Sequence, residues 1–273
     1  MININTDKCI GCGQCVKDCF PRDIEVIDGK AVIKNVNCIK CGHCIAVCPK
    51  HAVSTDEYNM DEVKEYDKET FQIHDEHLLN FIKFRRTTRQ FKNKDVENEL
   101  LEKIIEAGRY TQTGRNLQDV SYIIVKEGIE ELKALVLKSL KGIGENILAN
   151  PNPQTIMYKP YAELWLKMYK EFKEKSIEND RLFFHAPVVL IVTAQSDVSG
   201  ALASSNMELM TNALGLGTFF SGFTVRAAMD NLKISEFLGL AKDKKVVTCM
   251  VIGYPNVKYF RSVPRKIAEI SWK

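Results

Sequence analysis

Two cysteine runs constrain this chain more than any other feature. CIGCGQCVKDCFP holds Cys9, Cys12, Cys15 and Cys19, and CIKCGHCIAVCP repeats them as Cys38, Cys41, Cys44 and Cys48 at one constant offset. That is an internal duplication. Three cysteines at successive i, i+3 and i+6 positions cannot all pair locally as disulfides, whereas a compact loop can aim all three at one cube-shaped metal centre. Of the nine cysteines, eight lie before residue 50 and only Cys249 lies beyond. The N-terminus MININTDKC has no basic stretch followed by an apolar one, so no export is expected and metal binding explains the crowding better than a disulfide framework. Between the runs, IEVIDGKAVI reads as two short strands around an Asp28-Gly29 turn. So small a module buries little apolar surface, and bound metal is expected to supply much of its folding energy.

A length of 273 residues leaves room for a second, larger domain. A net charge of +3 provides no basic field for nucleic acid, and the longest apolar run, APVVLIVTA at residues 186–194, is too short to span a bilayer. The reading is therefore a cytoplasmic protein with neither nucleic acid nor membrane as partner. Residues 1–55 form the cysteine module, 56–76 an acidic linker and 77–273 the larger domain. Within the last, HLLNFIKF looks helical, and Asp95 is placed to cap a helix whose Leu100, Leu101, Ile104, Ile105 and Gly108 share a face. Strands are expected at 120–125, 187–194 and 246–253, with helices between them, giving an α/β or α+β domain. The apolar, small-residue segment 199–214 reads as a helix buried against other helices or a partner subunit. Residues 141–176 form an excursion whose stripe of Tyr161, Leu164, Trp165, Met168 and Phe172 belongs to core or interface.

The run C-x2-C-x2-C-x3-C followed by proline resembles that of bacterial two-cluster ferredoxins, in which the last cysteine ligates the other cluster. The resemblance covers residues 1 to about 55. It implies one [4Fe-4S] cluster on Cys9, Cys12, Cys15 and Cys48, and a second on Cys38, Cys41, Cys44 and Cys19. Gly11, Gly13 and Gly42 allow tight turns that point N–H groups at an anionic cluster. Phe20 separates Cys19 from Pro21, a departure from the second run. Structural zinc sites also use C-x2-C pairs and are the alternative.

FRRTTRQF, residues 84–91, sets Arg85, Arg86 and Arg89 around two threonine hydroxyls, a group suited to phosphate. YFRSVPRK, residues 259–266, adds Arg261, Arg265 and Lys266. In order, RRTTRQF, AGRYTQTGRNLQDVSYIIV, HAPVVLIVTA, NALGLGTFFSGF and VIGYPNVKYFRSVPRK resemble the nitroreductase family of FMN enzymes across residues 80–273. The resemblance implies an α+β, FMN-binding domain in which Arg85, Arg86, Thr87 and Arg89, with Arg261 and Arg265, hold the flavin phosphate. It carries Thr113, Gly114, Asn116 and Gln118 to the segment that reaches the flavin ring from a partner subunit, with Asp119 where the family usually has proline. Phe220, Ser221 and Gly222 fall on the stretch beside the ring, where an N–H near Gly222 meets N5.

Neither GIGEN nor LGLGT is a strand-to-helix G-x-G-x-x-G, so no separate dinucleotide site is indicated. No catalytic side chain is nominated, because a flavin carries the difficult step itself. His43 is expected to line a cluster, His185 to be a core residue and Cys249 a small buried hydrophobe. The resulting expectation is a homodimeric FMN oxidoreductase passing electrons from two [4Fe-4S] clusters, or from NAD(P)H, to a small acceptor such as a nitroaromatic or quinone. A reduced ferredoxin is a possible donor. Alternatives are another reductive reaction on the same scaffold, such as dehalogenation or enone reduction, or a non-catalytic electron-transfer or redox-sensing flavoprotein.

Overall fold

The computed structural model describes residues 1–174, 180–229 and 231–273. Contacts divide the chain into two compact units, one of Met1–His74 with Gly114–Leu117, the other of Asp75–Thr113 with Gln118–Lys273. The acidic stretch expected to be a linker thus belongs mostly to the first unit.

In the first unit the elements are β1 (Ile2–Ile4), α1 (Gln14–Asp18), β2 (Ile24–Ile27), β3 (Lys30–Ile33), α2 (His43–Ala46), β4 (Val53–Thr55) and α3 (Lys68–Phe71). The β2–β3 hairpin turns at Asp28 and Gly29, with φ of 51° and 72°, the left-handed pair that a two-residue turn requires. The duplication extends to the ladders. Ile24 faces Ile33 and Glu25 faces Val32 in one, and their repeat mates, Val53 with Ile4 and Ser54 with Asn3, face each other in the other. Ile2, Ile24, Ala31, Ala52 and Val53 make a small core that Cys9, Cys15 and Cys44 complete.

The second unit contains α4 (Asp75–Phe84), α5 (Asn98–Arg109), β5 (Ser121–Val125), α6 (Ile129–Ala149), α7 (Lys159–Lys173), β6 (Val188–Ala194), α8 (Asp197–Ala213), β7 (Gly217–Phe220), α9 (Gly222–Ala228), α10 (Leu232–Leu238) and β8 (Lys245–Gly253). Its sheet runs β5-β6-β8-β7, antiparallel throughout, which makes the domain α+β. Because successive strand residues point to opposite faces, the apolar β6 serves two cores. Val189 and Ile191 join Cys249 and Val251 of β8 against Leu132, Val136, Trp165, Ala227 and Ile234. Val188, Leu190 and Val192 join Met250 and Ile252 against Leu101, Ile104 and Met207. Helices therefore cover both faces, and each fully buried Leu or Ile adds roughly 1.5–3 kcal/mol.

Several sequence expectations shift. Asp95 caps nothing: it pairs with Lys126, and α5 begins after Glu97. GTFF, where no strand was expected, is the edge strand β7. GIGEN lies inside α6, which pairs with α7 through the buried Trp165 and Met168, while Tyr161 is exposed. The end of the 141–176 excursion lies outside the described residues. His185, expected in the core, is exposed, and Asp180 accepts its backbone N–H at 3.2 Å. No helix among the described residues is long and apolar enough to cross a membrane.

Candidate functional site

The first unit folds its two repeats around two cavities. Cys9, Cys12, Cys15 and Cys48 line one, with Ala31 and Pro49; Cys19, Cys38, Cys41 and Cys44 line the other, with Pro21 and Gly42. Each cavity thus takes three thiols from one run and the last thiol of the other. The repeats place backbone N–H groups on the sulfurs in parallel fashion: Asp23 donates to Cys19 Sγ and Ala52 to Cys48 Sγ, both at 3.3 Å. Ala31 donates to Cys9 Sγ at 3.3 Å and Lys40 to Cys38 Sγ at 3.4 Å.

These surroundings act on the thiols in opposite directions. The N–H groups of Ala31 and Gly11 hold the Cys9 thiol below its ordinary value, while burial raises Cys15. Burial, with Cys38 and Cys41 nearby, pushes Cys44 up to about 11. Metal must therefore displace protons to enter. Among the described residues no group of three or more His, Cys, Asp or Glu closes on a single ion. Four thiols spread around a cavity, met by N–H donors, suit an anionic iron–sulfur cube.

Asp23, which the spacing did not single out, and His43, expected to line a cluster and found in the lining of the second cavity, support this arrangement. The buried Asp23 accepts the N–H groups of Val36 and Asn37 at 3.2 and 3.0 Å and so fixes the chain entering Cys38. His43, largely exposed, meets Asp18 at 3.1 Å and ties α2 to α1. Asn116 also falls in this unit, its amide donating to the carbonyls of Ile39 and Lys40 at 3.2 and 2.9 Å, in the loop between Cys38 and Cys41. Gly114 lies in the same short helical turn.

In the second unit the RRTTRQF turn follows α4 and is stitched on both sides. Thr87 bridges Thr218 of β7, and the Thr88 N–H donates to the Thr218 carbonyl at 3.0 Å. On the other side Lys92 donates to Tyr254 and Asn256 to Gln90, both at 2.8 Å, and the Tyr259 hydroxyl donates to the Thr87 carbonyl at 3.3 Å. The basic turn and the C-terminal segment carrying Arg261 thereby meet, while the described contacts do not tie down Arg265. Arg89 lies 5.6 Å from the Phe219 ring centroid, and Arg85 is held by Glu208.

Ser221 caps α9, its hydroxyl meeting Thr224 at 2.9 Å and its N–H donating to the Cys249 carbonyl at 2.8 Å. Phe220 is exposed, and a side chain at Gly222 would meet nothing within 4 Å. Gln118 donates to Thr113 Oγ1 at 2.9 Å. Asp119 accepts the N–H groups of Gln195 and Ser196 ahead of α8 at 3.0 and 3.2 Å. Burial would raise its carboxyl, but backbone donors led by Ser196 outweigh burial and lower it. The residue standing in the proline position is thus a strand-to-helix clasp. Arg85, Arg86 and Arg89 with the exposed Thr87 make a partly exposed turn that fits a phosphate dianion, while Thr88 is buried with its hydroxyl donating to the Arg86 carbonyl.

Residues 82–254 match the model of the Nitroreductase family. The chain belongs to the nitroreductase family. Residues 1–66 match the 4Fe-4S dicluster domain, so this nitroreductase carries that domain at its N-terminal end. An NADPH-dependent oxidoreductase of Staphylococcus aureus strain USA300 is 25% identical over 186 residues, covering 66% of this chain and 65% of its own length. The chain thus spans less than two thirds of the curated relatives it matches. Among solved structures, the nitroreductase with bound FMN from Bacteroides fragilis NCTC 9343 superposes with a TM-score of 0.52 at 20% identity, covering 71% of this chain and 98% of that one. A nitroreductase with bound FMN from Desulfitobacterium hafniense DCB-2 gives 0.50 at 24%, covering 71% and 97%. At such identities these likenesses establish the fold alone.

Proposed function

We propose that this nitroreductase is a homodimeric, cytoplasmic, FMN-dependent oxidoreductase whose N-terminal unit carries two [4Fe-4S] clusters and whose second unit reduces a small acceptor such as a nitroaromatic or quinone. The observation that carries the reading is the meeting of the Arg85–Arg89 turn with the C-terminal segment at Thr87 and Tyr259. When bound, clusters supply single electrons and FMN supplies two-electron chemistry at its ring.

The residues divide the work. Arg85, Arg86, Arg89 and Thr87, with Arg261 and Arg265, hold the phosphate. Phe220, Ser221 and Gly222 border the ring, and Thr113, Gly114, Asn116 and Gln118 form the segment that approaches the ring of a partner subunit. Cys9, Cys12, Cys15 and Cys48 hold one cluster; Cys19, Cys38, Cys41 and Cys44 hold the other. Asp23 and the N–H groups of Ala31, Lys40 and Ala52 keep the thiolates in place. The exposed apolar side chains of α4 (Leu78, Leu79, Ile82) and α8 (Val198, Leu202) supply the surface for a second copy.

Anaerobic purification with iron, sulfide and flavin analysis tests the composition, which should be about eight irons and one FMN per chain. Stopped-flow reduction with NADPH, NADH and reduced ferredoxin, each followed by a quinone, tests the activity. Flavin reduction by NADPH that is indifferent to loss of the clusters removes the N-terminal unit from electron supply. A preparation holding zinc and little iron removes the clusters themselves.

A further inference from the structure

We propose that Glu208 is the positioning residue of the phosphate site: its buried carboxylate holds one edge of the Arg85 guanidinium, so that the other donors of that fork are aimed at the phosphate of FMN. The inference rests on the phosphate site proposed above and adds a residue of the opposite charge from a different element.

Glu208 lies on the inner face of α8 and is 7% exposed. A carboxylate removed from water persists when a cation answers it, and a single partner removed leaves a stranded charge. Among the described residues that cation is Arg85, which lies 123 positions away in sequence and whose Nη1 donates to Glu208 Oε1 at 2.5 Å. The polar groups flanking Glu208 on the helix do not meet its carboxylate: Ser204 is engaged with Gly200 and Thr248, Thr211 with the Met207 carbonyl, and Asn212 donates to the Glu208 backbone carbonyl at 2.8 Å. The Arg85 side chain is 35% exposed, so its ion pair with Glu208 does not enclose it. A guanidinium is planar with five N–H donors in fixed directions, and fixing one edge sets the direction of the rest. Arg86 and Arg89 stand within four residues and repel Arg85; the Glu208 charge lets it stay among them.

Charge alone and positioning predict opposite signs. Removing a negative charge from the neighbourhood of a phosphate should tighten FMN if Glu208 acts only through its field. Loss of the hold on Arg85 should weaken it.

The test titrates FMN and riboflavin, which lacks the phosphate, into flavin-free, cluster-loaded full chain, reading quenching of flavin fluorescence. Glu208→Gln should raise the FMN Kd by about tenfold and the riboflavin Kd by less than about twofold. Unchanged or tighter FMN binding, or equal weakening of both flavins, overturns the proposal. Should that variant fail to fold, Arg85→Lys keeps the buried ion pair but lacks the planar fork. It should lose the preference for FMN over riboflavin, and a preserved preference overturns the proposal as well. Arg261→Ala combined with Arg265→Ala separates the two readings. If that variant loses the preference while Glu208→Gln and Arg85→Lys keep it, the phosphate site stands and only the role of Glu208 falls. If all three keep it, the phosphate site itself falls.

Discussion

The Tyr259 hydroxyl donates to the Thr87 carbonyl at 3.3 Å, joining residues that are 172 positions apart. Chain segments from the two ends of the second unit are thereby brought to one basic turn. Tyr259→Phe removes one hydrogen bond of about 0.5–1.5 kcal/mol and should lower FMN affinity by up to about tenfold. Replacing Arg85 and Arg261 together should release the flavin, and full flavin content after gel filtration of that variant would refute the site.

Cys48 lines the cavity of the first run although it ends the second. Cys48→Ser should therefore damage the cluster of Cys9, Cys12 and Cys15 and leave about four irons of about eight. Iron analysis with low-temperature EPR checks this, and an intact first cluster would contradict crossed ligation.

A Cβ added at Gly11 would stand 2.1 Å from the Gly29 carbonyl oxygen, on a residue whose φ is +66°. Gly11→Ala must displace the hairpin turn from the cysteine loop and should abolish cluster incorporation at that site. Gly29→Ala meets nothing within 4 Å and bears only the cost of its positive φ, on the order of 1 kcal/mol. The absorbance of the reconstituted proteins should separate the two variants.

Lys133 and Asp180 form a buried pair at 2.9 Å, with side chains 8% and 5% exposed. Burial alone would raise the Asp180 carboxyl, but Lys133 and the Phe183 N–H outweigh it and hold the group below the usual carboxylate range. Its contribution is complete above the ordinary aspartate value of about 3.9 and is lost as pH falls through the lowered folded-state value. Burial likewise opposes the charge of Lys133, and Asp180 with Glu130 overcomes it and raises that group. The lysine's contribution is therefore present below its ordinary value and lost only as pH rises through the raised one. Asp180→Asn should cost about 3 kcal/mol near neutrality. In urea denaturation the gap between wild type and variant should narrow on the acid side.

Sequence pattern made the periodic elements legible. The strands now bounded by Ser121–Val125, Val188–Ala194 and Lys245–Gly253 announce themselves as mostly apolar runs, and β6 and β8 are so because they serve cores on both faces. The four-residue β7 did not, since Gly217 and Thr218 break its pattern and its strand character comes from pairing with β8. The cysteine spacing marked the eight thiols and the ferredoxin resemblance implied their crossed grouping, whereas Asp23 and Glu208 gave no signal and Asp119 showed only as a departure from the family's proline. Each is an isolated acid whose partner lies far along the chain or on its backbone. Asp95 illustrates the reverse case: it looked like a cap, but Lys126, 31 positions away, draws it off.

The duplicated ladders and exchanged fourth cysteines leave neither repeat able to finish a site by itself. A chain with a single repeat could enclose four sulfurs only by encountering a twin, at a rate set by how much of it the cell makes. Tethering the twins turns that chance meeting into an intramolecular one, governed by the short span between them and indifferent to dilution.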